Sequence, residues 1–221
     1  MITNKIILNE KNDFDVLEEM MLSNYGEHNI VVYPDKSTLR DIYSSYCKLL
    51  FEHNNNNDNN NTEVNSNNNH DEMVLLIPYY ETVEGVKYTL RKRAGINIEE
   101  YEKDGSLAIV DSFKAYSHSP QVDGNRDTYN ITSLFRLLLN QAEFFGKSGI
   151  CMISDIGPFY QFEKIEELIK YETSFPRKTN LKYKVFCSYS KDHFDVLTED
   201  QKQNLLSHHF KNLAVVNSHN N

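Results

Sequence analysis

The chain has 221 residues, of which 39% are hydrophobic and 25% are charged, a composition typical of a globular protein. A chain of this length can bury roughly 70% of the surface that its unfolded form exposes, so we expect one domain over residues 1–221. A formal charge of −9 without a long Lys/Arg block argues against direct nucleic-acid binding. The sequence shows no signal peptide, no stretch of eighteen apolar residues and no paired cysteine spacing. We therefore expect a cytoplasmic protein with free thiols and no membrane contact.

Short apolar runs alternate with amphipathic segments along the chain. An N-terminal helix is predicted at about 13–23, before the first strand. Strands are predicted at 29–33, 73–78, 107–111, 149–155, 182–189 and 212–216. Helices are predicted between them at 38–52, 82–94, 128–146, 160–174 and 199–209. The alternation predicts an α/β fold with a mostly parallel central sheet of about six or more strands and helices on both faces.

A tract rich in asparagine interrupts this pattern at 53–71. Eleven of the sixteen residues in "NNNNDNNNTEVNSNNN" are Asn, so the tract has almost nothing to bury. We predict a disordered surface insertion that the fold tolerates, since a long loop between two fixed elements costs little.

The turn after the first predicted strand has the outline of a phosphate-binding loop without its glycines. In "IVVYPDKSTLRD", Lys36 and Ser37 stand where a phosphate loop places its lysine and hydroxyl. Pro34 has no N–H to donate, and Asp35 brings a negative charge toward any phosphate. An alternative interpretation is that Asp35 or Ser37 caps the helix that follows.

Ligands of parallel α/β sheets bind beyond the carboxyl ends of the strands, so the residues that end strands are candidates for binding. Asp155 ends the run "ICMISD", as an NTPase magnesium ligand does, although a carboxylate at a strand end is common. Three tyrosines near strand ends could form an aromatic wall for an amphipathic molecule or could simply pack. The candidate ligand-binding residues are Tyr33, Lys36, Ser37, Tyr116, Asp155 and Tyr189.

Several segments, in order, resemble the MEDS family of sensory domains, named for methanogens, methylotrophs and the regulator DcmR. They are "GEHNIVVYPDKSTL", "MVLLIP", "AGINIEEYEKDGSLAIVDS", "KSGICMISDIG", "IKYETSF" and "VFCSYSKDHF" followed by "LLSHHF". The resemblance implies a RecA-like three-layer sandwich without a usable phosphate loop. It also implies a role in sensing small molecules, including hydrocarbon derivatives. Residues at family positions are His28, Glu172, Cys187 and His208, although His209 fits the last position equally well.

The sequence contains no Cys/His ligand spacing, no assignable acid–base pair and no GxSxG elbow, so no metal, cofactor or catalytic residue is predicted and an enzyme is disfavoured. Glu172 could pair with Arg136 or Lys36 or could equally face solvent at a helix end, and a lone histidine such as His28 is more often structural than a ligand. The leading hypothesis is a non-catalytic module that binds a small molecule and signals through a partner protein, either a kinase or a transcription regulator. The alternatives are a nucleotide-binding protein or ATPase using Lys36, Ser37 and Asp155, and an assembly module that forms a homo-oligomer.

Overall fold

A seven-stranded parallel sheet forms the centre of the computed structural model, which describes residues 5–57, 71–116 and 130–216. The strands are β1 (Asn9–Lys11), β2 (His28–Tyr33), β3 (Met73–Ile77), β4 (Leu107–Ile109), β5 (Ile150–Asp155), β6 (Tyr183–Ser190) and β7 (Asn212–Val215). Their order across the sheet is β1-β7-β2-β6-β5-β3-β4, and every neighbouring pair is parallel. All six predicted strands are confirmed, and β1 is an additional edge strand.

Ten helices surround the sheet in the described part of the chain. They are α1 (Asp13–Met21), α2 (Lys36–Asn57), α3 (Val83–Thr89), α4 (Ile98–Lys103), α5 (Ser112–Tyr116), α6 (Asn130–Phe144), α7 (Gly157–Gln161), α8 (Ile165–Ser174), α9 (Lys191–Asp195) and α10 (Glu199–His208). Among these residues, no helix combines the length and the apolar character that crossing a bilayer requires.

The helices form two layers because alternate strand residues point to opposite faces of the sheet. One face, with Ile30 and Val185, packs against α5 to α10; the other, with Val31 and Phe186, packs against α1 to α4. Strands buried on both sides read as continuous apolar runs, which is why the sequence revealed them. The predicted fold class, a parallel sheet between two layers of helices, is confirmed.

Two predicted helices are each divided. The segment 82–94 is α-helical only to Thr89 and then makes a π-helical turn that ends at Gly95, which has a φ of 68°. The segment 160–174 breaks at Glu163, whose φ of 56° is left-handed, so α7 ends before it and α8 begins after it. Amphipathic periodicity continues through both breaks and therefore could not reveal them.

Helix α2 is longer than the predicted 38–52, since it continues to Asn57, inside the tract that was predicted to be an insertion. The rest of that tract, 58–70, lies outside the described residues. The three cysteines are free and buried, as expected.

A buried ion pair lies at the amino-terminal ends of the central strands. Lys184 Nζ lies 3.2 Å from Glu72 Oε1, and both side chains are almost completely buried. The Tyr46 hydroxyl also donates to this carboxylate, while Lys184 reaches the Ser23 carbonyl. These contacts give the buried charge on each side chain a partner.

Candidate functional site

Asp155 and Tyr33 form a buried pair at the carboxyl ends of β5 and β2. The Tyr33 hydroxyl donates to Asp155 Oδ2 over 2.6 Å, and the Gly157 N–H donates to Oδ1 over 2.9 Å. Burial raises the pKa of Asp155 to about 7, although these two hydrogen bonds and the charge of Lys36 act in the opposite direction. A carboxyl group that titrates near neutrality at a strand end is a candidate for function.

The turn from β2 into α2 is organised as a helix cap. The Asp35 carboxylate accepts the Thr38 N–H over 3.0 Å, which confirms the capping interpretation for Asp35. The Lys36 ammonium lies 4.3 Å from the centre of the Tyr80 ring, and Ser37 Oγ accepts from Arg93. The acidic cap therefore occupies the helix N-terminus at which a phosphate would bind.

A small cleft lies beside this turn. Its volume is about 20 Å³, and its wall includes Lys36, Tyr43, Tyr80, Asp155 and Ser188. Lys36 and Asp155, two of the residues predicted from strand ends, therefore do meet at one edge of the sheet.

The three tyrosines of the predicted aromatic wall do not meet. Tyr33 belongs to the face covered by α1 to α4, whereas Tyr116 and Tyr189 belong to the face covered by α5 to α10. Tyr189 pairs in register with Val32, so it points away from the side chain of Tyr33. The Tyr116 hydroxyl hydrogen-bonds to Ser154 Oγ, and the buried Tyr189 hydroxyl has no hydrogen-bond partner among the described residues.

A second polar cluster lies inside the protein and consists of His28, Glu172, Cys187 and His209, which we call the His–Glu–Cys cluster. His28 Nε2 lies 3.2 Å from both Glu172 Oε2 and Cys187 Sγ. His209 Nε2 lies 3.1 Å from the same carboxylate oxygen, and the two imidazole rings are 4.2 Å apart between centres. All four side chains are buried.

Backbone contacts between distant segments hold this cluster together. The His28 N–H donates to the Arg177 carbonyl, and the His28 carbonyl accepts from the Phe210 N–H. The Arg177 guanidinium donates to the His209 carbonyl over 2.8 Å. The start of β2 is therefore joined to the segments that follow α8 and α10.

Burial and mutual contacts determine the charges in the His–Glu–Cys cluster. Burial alone would raise the pKa of Glu172, but hydrogen bonds from His209 and His28 outweigh it and lower the pKa to about 2. Burial, reinforced by the charge of His209, lowers the pKa of His28. Burial also raises the pKa of the Cys187 thiol. Glu172 is thus an anion, while His28 and the thiol are neutral at pH 7.

Three of the four residues that the resemblance singled out, His28, Glu172 and Cys187, belong to this cluster. The fourth place is taken by His209 and not by His208, whose Nδ1 donates instead to the Asn204 carbonyl at the surface of α10. The expected pairing of Glu172 with Arg136 or Lys36 was wrong, since its partners are the two histidines. No local spacing connects residues 28, 172, 187 and 209; the resemblance singled them out one by one but did not indicate that they lie together.

An apolar cavity of about 50 Å³ adjoins the cluster between the sheet and helices α6 and α8. It is lined by His28, Phe135, Met152, Tyr171, Phe175, Tyr183, Val185 and Cys187. His28 and Cys187 therefore belong both to the cluster and to the cavity wall.

No protein-family model matches the chain, and no curated protein matches it. Among solved structures, the chain is similar to the KaiC-like protein PH0186 from the hyperthermophilic archaeon Pyrococcus horikoshii OT3, with a TM-score of 0.49 and 12% sequence identity. The similarity covers 81% of this chain and 69% of that one. A similarity of this size says nothing about what the present chain binds.

Proposed function

We propose that the chain is a MEDS-like, non-catalytic sensory domain that binds a small apolar molecule in the cavity beside the His–Glu–Cys cluster. The observation that carries this proposal is the lining of that cavity, in which aromatic and aliphatic side chains surround two groups, His28 and Cys187, that can orient a ligand. An apolar cavity gains little from water and favours an apolar occupant.

The volume of the cavity limits the size of the ligand. At about 50 Å³ it is a third of the roughly 150 Å³ of an engineered apolar cavity that accepts benzene. We therefore expect an occupant with only a few heavy atoms, such as a simple hydrocarbon derivative. A larger ligand would have to displace Phe135 of α6 or Tyr171 of α8.

Helices α6 and α8 cover the cavity, so a ligand that moves them would change the outer surface of the domain. Helix α6 exposes Leu137 and Phe144, which are seven residues apart and therefore lie on one stripe. We expect a signalling partner, such as a kinase or a transcription regulator, to bind there.

A nucleotide-binding role has less support. It would need the N–H groups at the start of α2, yet the Asp35 carboxylate already occupies that end of the helix. Calorimetry with ATP and Mg²⁺ distinguishes the two functions, and tight binding that Lys36→Ala abolishes would favour the nucleotide hypothesis.

The sensory function is tested by thermal unfolding with a panel of small alcohols, ketones and halogenated hydrocarbons. A compound present at about 100 times its Kd adds about 2.7 kcal/mol, which raises the Tm of a chain of this size by roughly 5–10 °C. Val185→Phe should fill the cavity and remove the shift, while Ile153→Leu, on the other face of the sheet, should preserve it. A panel without any stabilising compound, or equal shifts in both variants, would contradict the proposal.

A further inference from the structure

The His–Glu–Cys cluster has the composition of a transition-metal site. Each of its four residues offers one ligand atom, and these atoms all lie within 4.8 Å of one another. Two imidazoles, a carboxylate and a thiolate form a ligand set that suits Zn²⁺, which prefers nitrogen and sulfur and accepts oxygen. We propose that the cluster binds one divalent transition-metal ion, with zinc as the best match, through His28 Nε2, Glu172 Oε2, Cys187 Sγ and His209 Nε2.

The distances already approach those of a tetrahedral site. Zinc bonds of about 2.0–2.3 Å place neighbouring ligand atoms roughly 3.3–3.8 Å apart. Glu172 Oε2 lies 3.2 Å from His28 Nε2 and 3.1 Å from His209 Nε2, and Cys187 Sγ lies 3.2 Å from His28 Nε2. The widest separation, at most 4.8 Å, would need to close by about 1 Å, which side-chain torsions can supply.

The orientation of His209 supports metal binding independently of the distances. Its Nδ1 donates to the Leu205 carbonyl over 2.7 Å, the outer contact that typically orients a metal-binding histidine. Nε2 is therefore directed at Glu172 Oε2, another acceptor, and must carry a proton to face it. A metal ion would take the place of that proton.

Two polar atoms of the cluster are buried without a hydrogen-bond partner among the described residues. These atoms are His28 Nδ1 and Glu172 Oε1, on side chains that are only 5% and 0% exposed. Such atoms are uncommon in native proteins and require a physical explanation. For Glu172 Oε1, a cation held by the same carboxylate provides one.

The charges also balance when a metal is bound. The carboxylate and a thiolate each carry one negative charge, and the two neutral imidazoles add none, so a divalent cation makes the buried site electrically neutral. Formation of the metal–sulfur bond releases the thiol proton to solvent. The proton that the metal displaces from His209 Nε2 is released to solvent as well. The ion would join β2, α8, β6 and the residue after α10 at a single point.

Metal binding to this cluster does not depend on a ligand in the cavity, so it is tested with the metal alone. The untagged chain of 221 residues is freed of metal and titrated with Co²⁺, whose thiolate complexes absorb in the near ultraviolet. One Co²⁺ per chain should bind with that absorption and with the visible spectrum of a tetrahedral ion. Stoichiometric Zn²⁺ should displace the cobalt and raise Tm.

Substitutions locate the bound ion. Cys187→Ser and His209→Gln should each weaken zinc binding by more than about 100-fold, beyond the usual effect of losing an outer contact. Cys151→Ser, which changes a buried cysteine on the other face, and His208→Gln, which changes the adjacent surface histidine, should bind zinc as the parent does. The proposal is overturned if the folded parent shows no cobalt–thiolate absorption, or if that absorption survives Cys187→Ser.

Discussion

Replacement of Asp155 by Asn should reverse its effect on stability between acid and alkaline pH. The folded-state pKa of about 7 lies above the ordinary aspartate value of 3.8, so folding favours the protonated carboxyl group. The associated stability is fully present below about pH 4 and is lost as the pH rises through about 7. The rise in the pKa from 3.8 to about 7 corresponds to about 4 kcal/mol of stability, and solvent screens this effect little because Asp155 is only 2% exposed.

Loss of hydrogen bonds to Asp155 offsets part of the stability that is gained when the buried carboxylate is removed. An Asn carbonyl can accept from Tyr33 or from Gly157 but presents its amide to the other donor, which costs about 1–3 kcal/mol. Asp155→Asn should therefore be less stable than the parent by about that amount near pH 4. Near pH 9 it should be more stable by a similar amount, because the variant no longer has a carboxylate that must ionise inside the protein.

Urea unfolding of both proteins at about pH 4, pH 7 and pH 9 measures this effect, since titrations that the two proteins share cancel in the difference. The difference in unfolding free energy should change by about 4 kcal/mol across the range, most steeply around pH 5 to 7. A difference that does not vary with pH would show that Asp155 ionises normally, and its candidacy as a functional carboxyl group would then fail.

Three further substitutions test the packing around the sheet. Lys184→Met should lower the unfolding free energy by about 3–5 kcal/mol because the buried Glu72 loses its cation. In urea unfolding, the double variant with Glu72→Gln should recover part of this loss, and the absence of any recovery would contradict this account. Gly26→Ala should lower Tm much more than Gly95→Ala. Both residues have positive φ, but only at Gly26 would the new methyl group collide with a backbone carbonyl, that of Thr179. Tyr189→Phe should raise the unfolding free energy by about 1 kcal/mol, because it removes a buried hydroxyl without a partner among the described residues; a marked loss would mean that the hydroxyl is hydrogen-bonded.

The fold was predictable from the sequence because its central strands are buried on both faces and therefore consist of consecutive apolar residues. The edge strand β1 was missed because its residues, "NEK", are polar and largely exposed. Its pairing with β7 depends on backbone hydrogen bonds, which any residue except proline can make.

The candidate sites were less predictable because they depend on register and on contacts between distant segments. Tyr33 and Tyr189 both lie at the ends of apolar strands, but Tyr33 pairs with Ser190 and Tyr189 pairs with Val32, so the two tyrosines point to opposite faces of the sheet. His209 and His208 are equivalent as sequence, and only the end of α10 decides which one turns inward. The burial of Glu172 was not predictable from its own helix, because the two histidines that pair with it come from segments about 140 and 40 positions away.

Strand β6 lies fourth of seven in the sheet and touches both candidate sites through adjacent residues. Cys187 belongs to the His–Glu–Cys cluster on one face, while Ser188 lines the cleft beside Asp155 on the other. Strand β6 is hydrogen-bonded along its length to β2 and β5, and close-packed interiors of this kind transmit small displacements. An occupant of the cavity beside the His–Glu–Cys cluster that displaces β6 by a fraction of an ångström would therefore also change the width of the cleft beside Asp155. The two sites are coupled through this one strand.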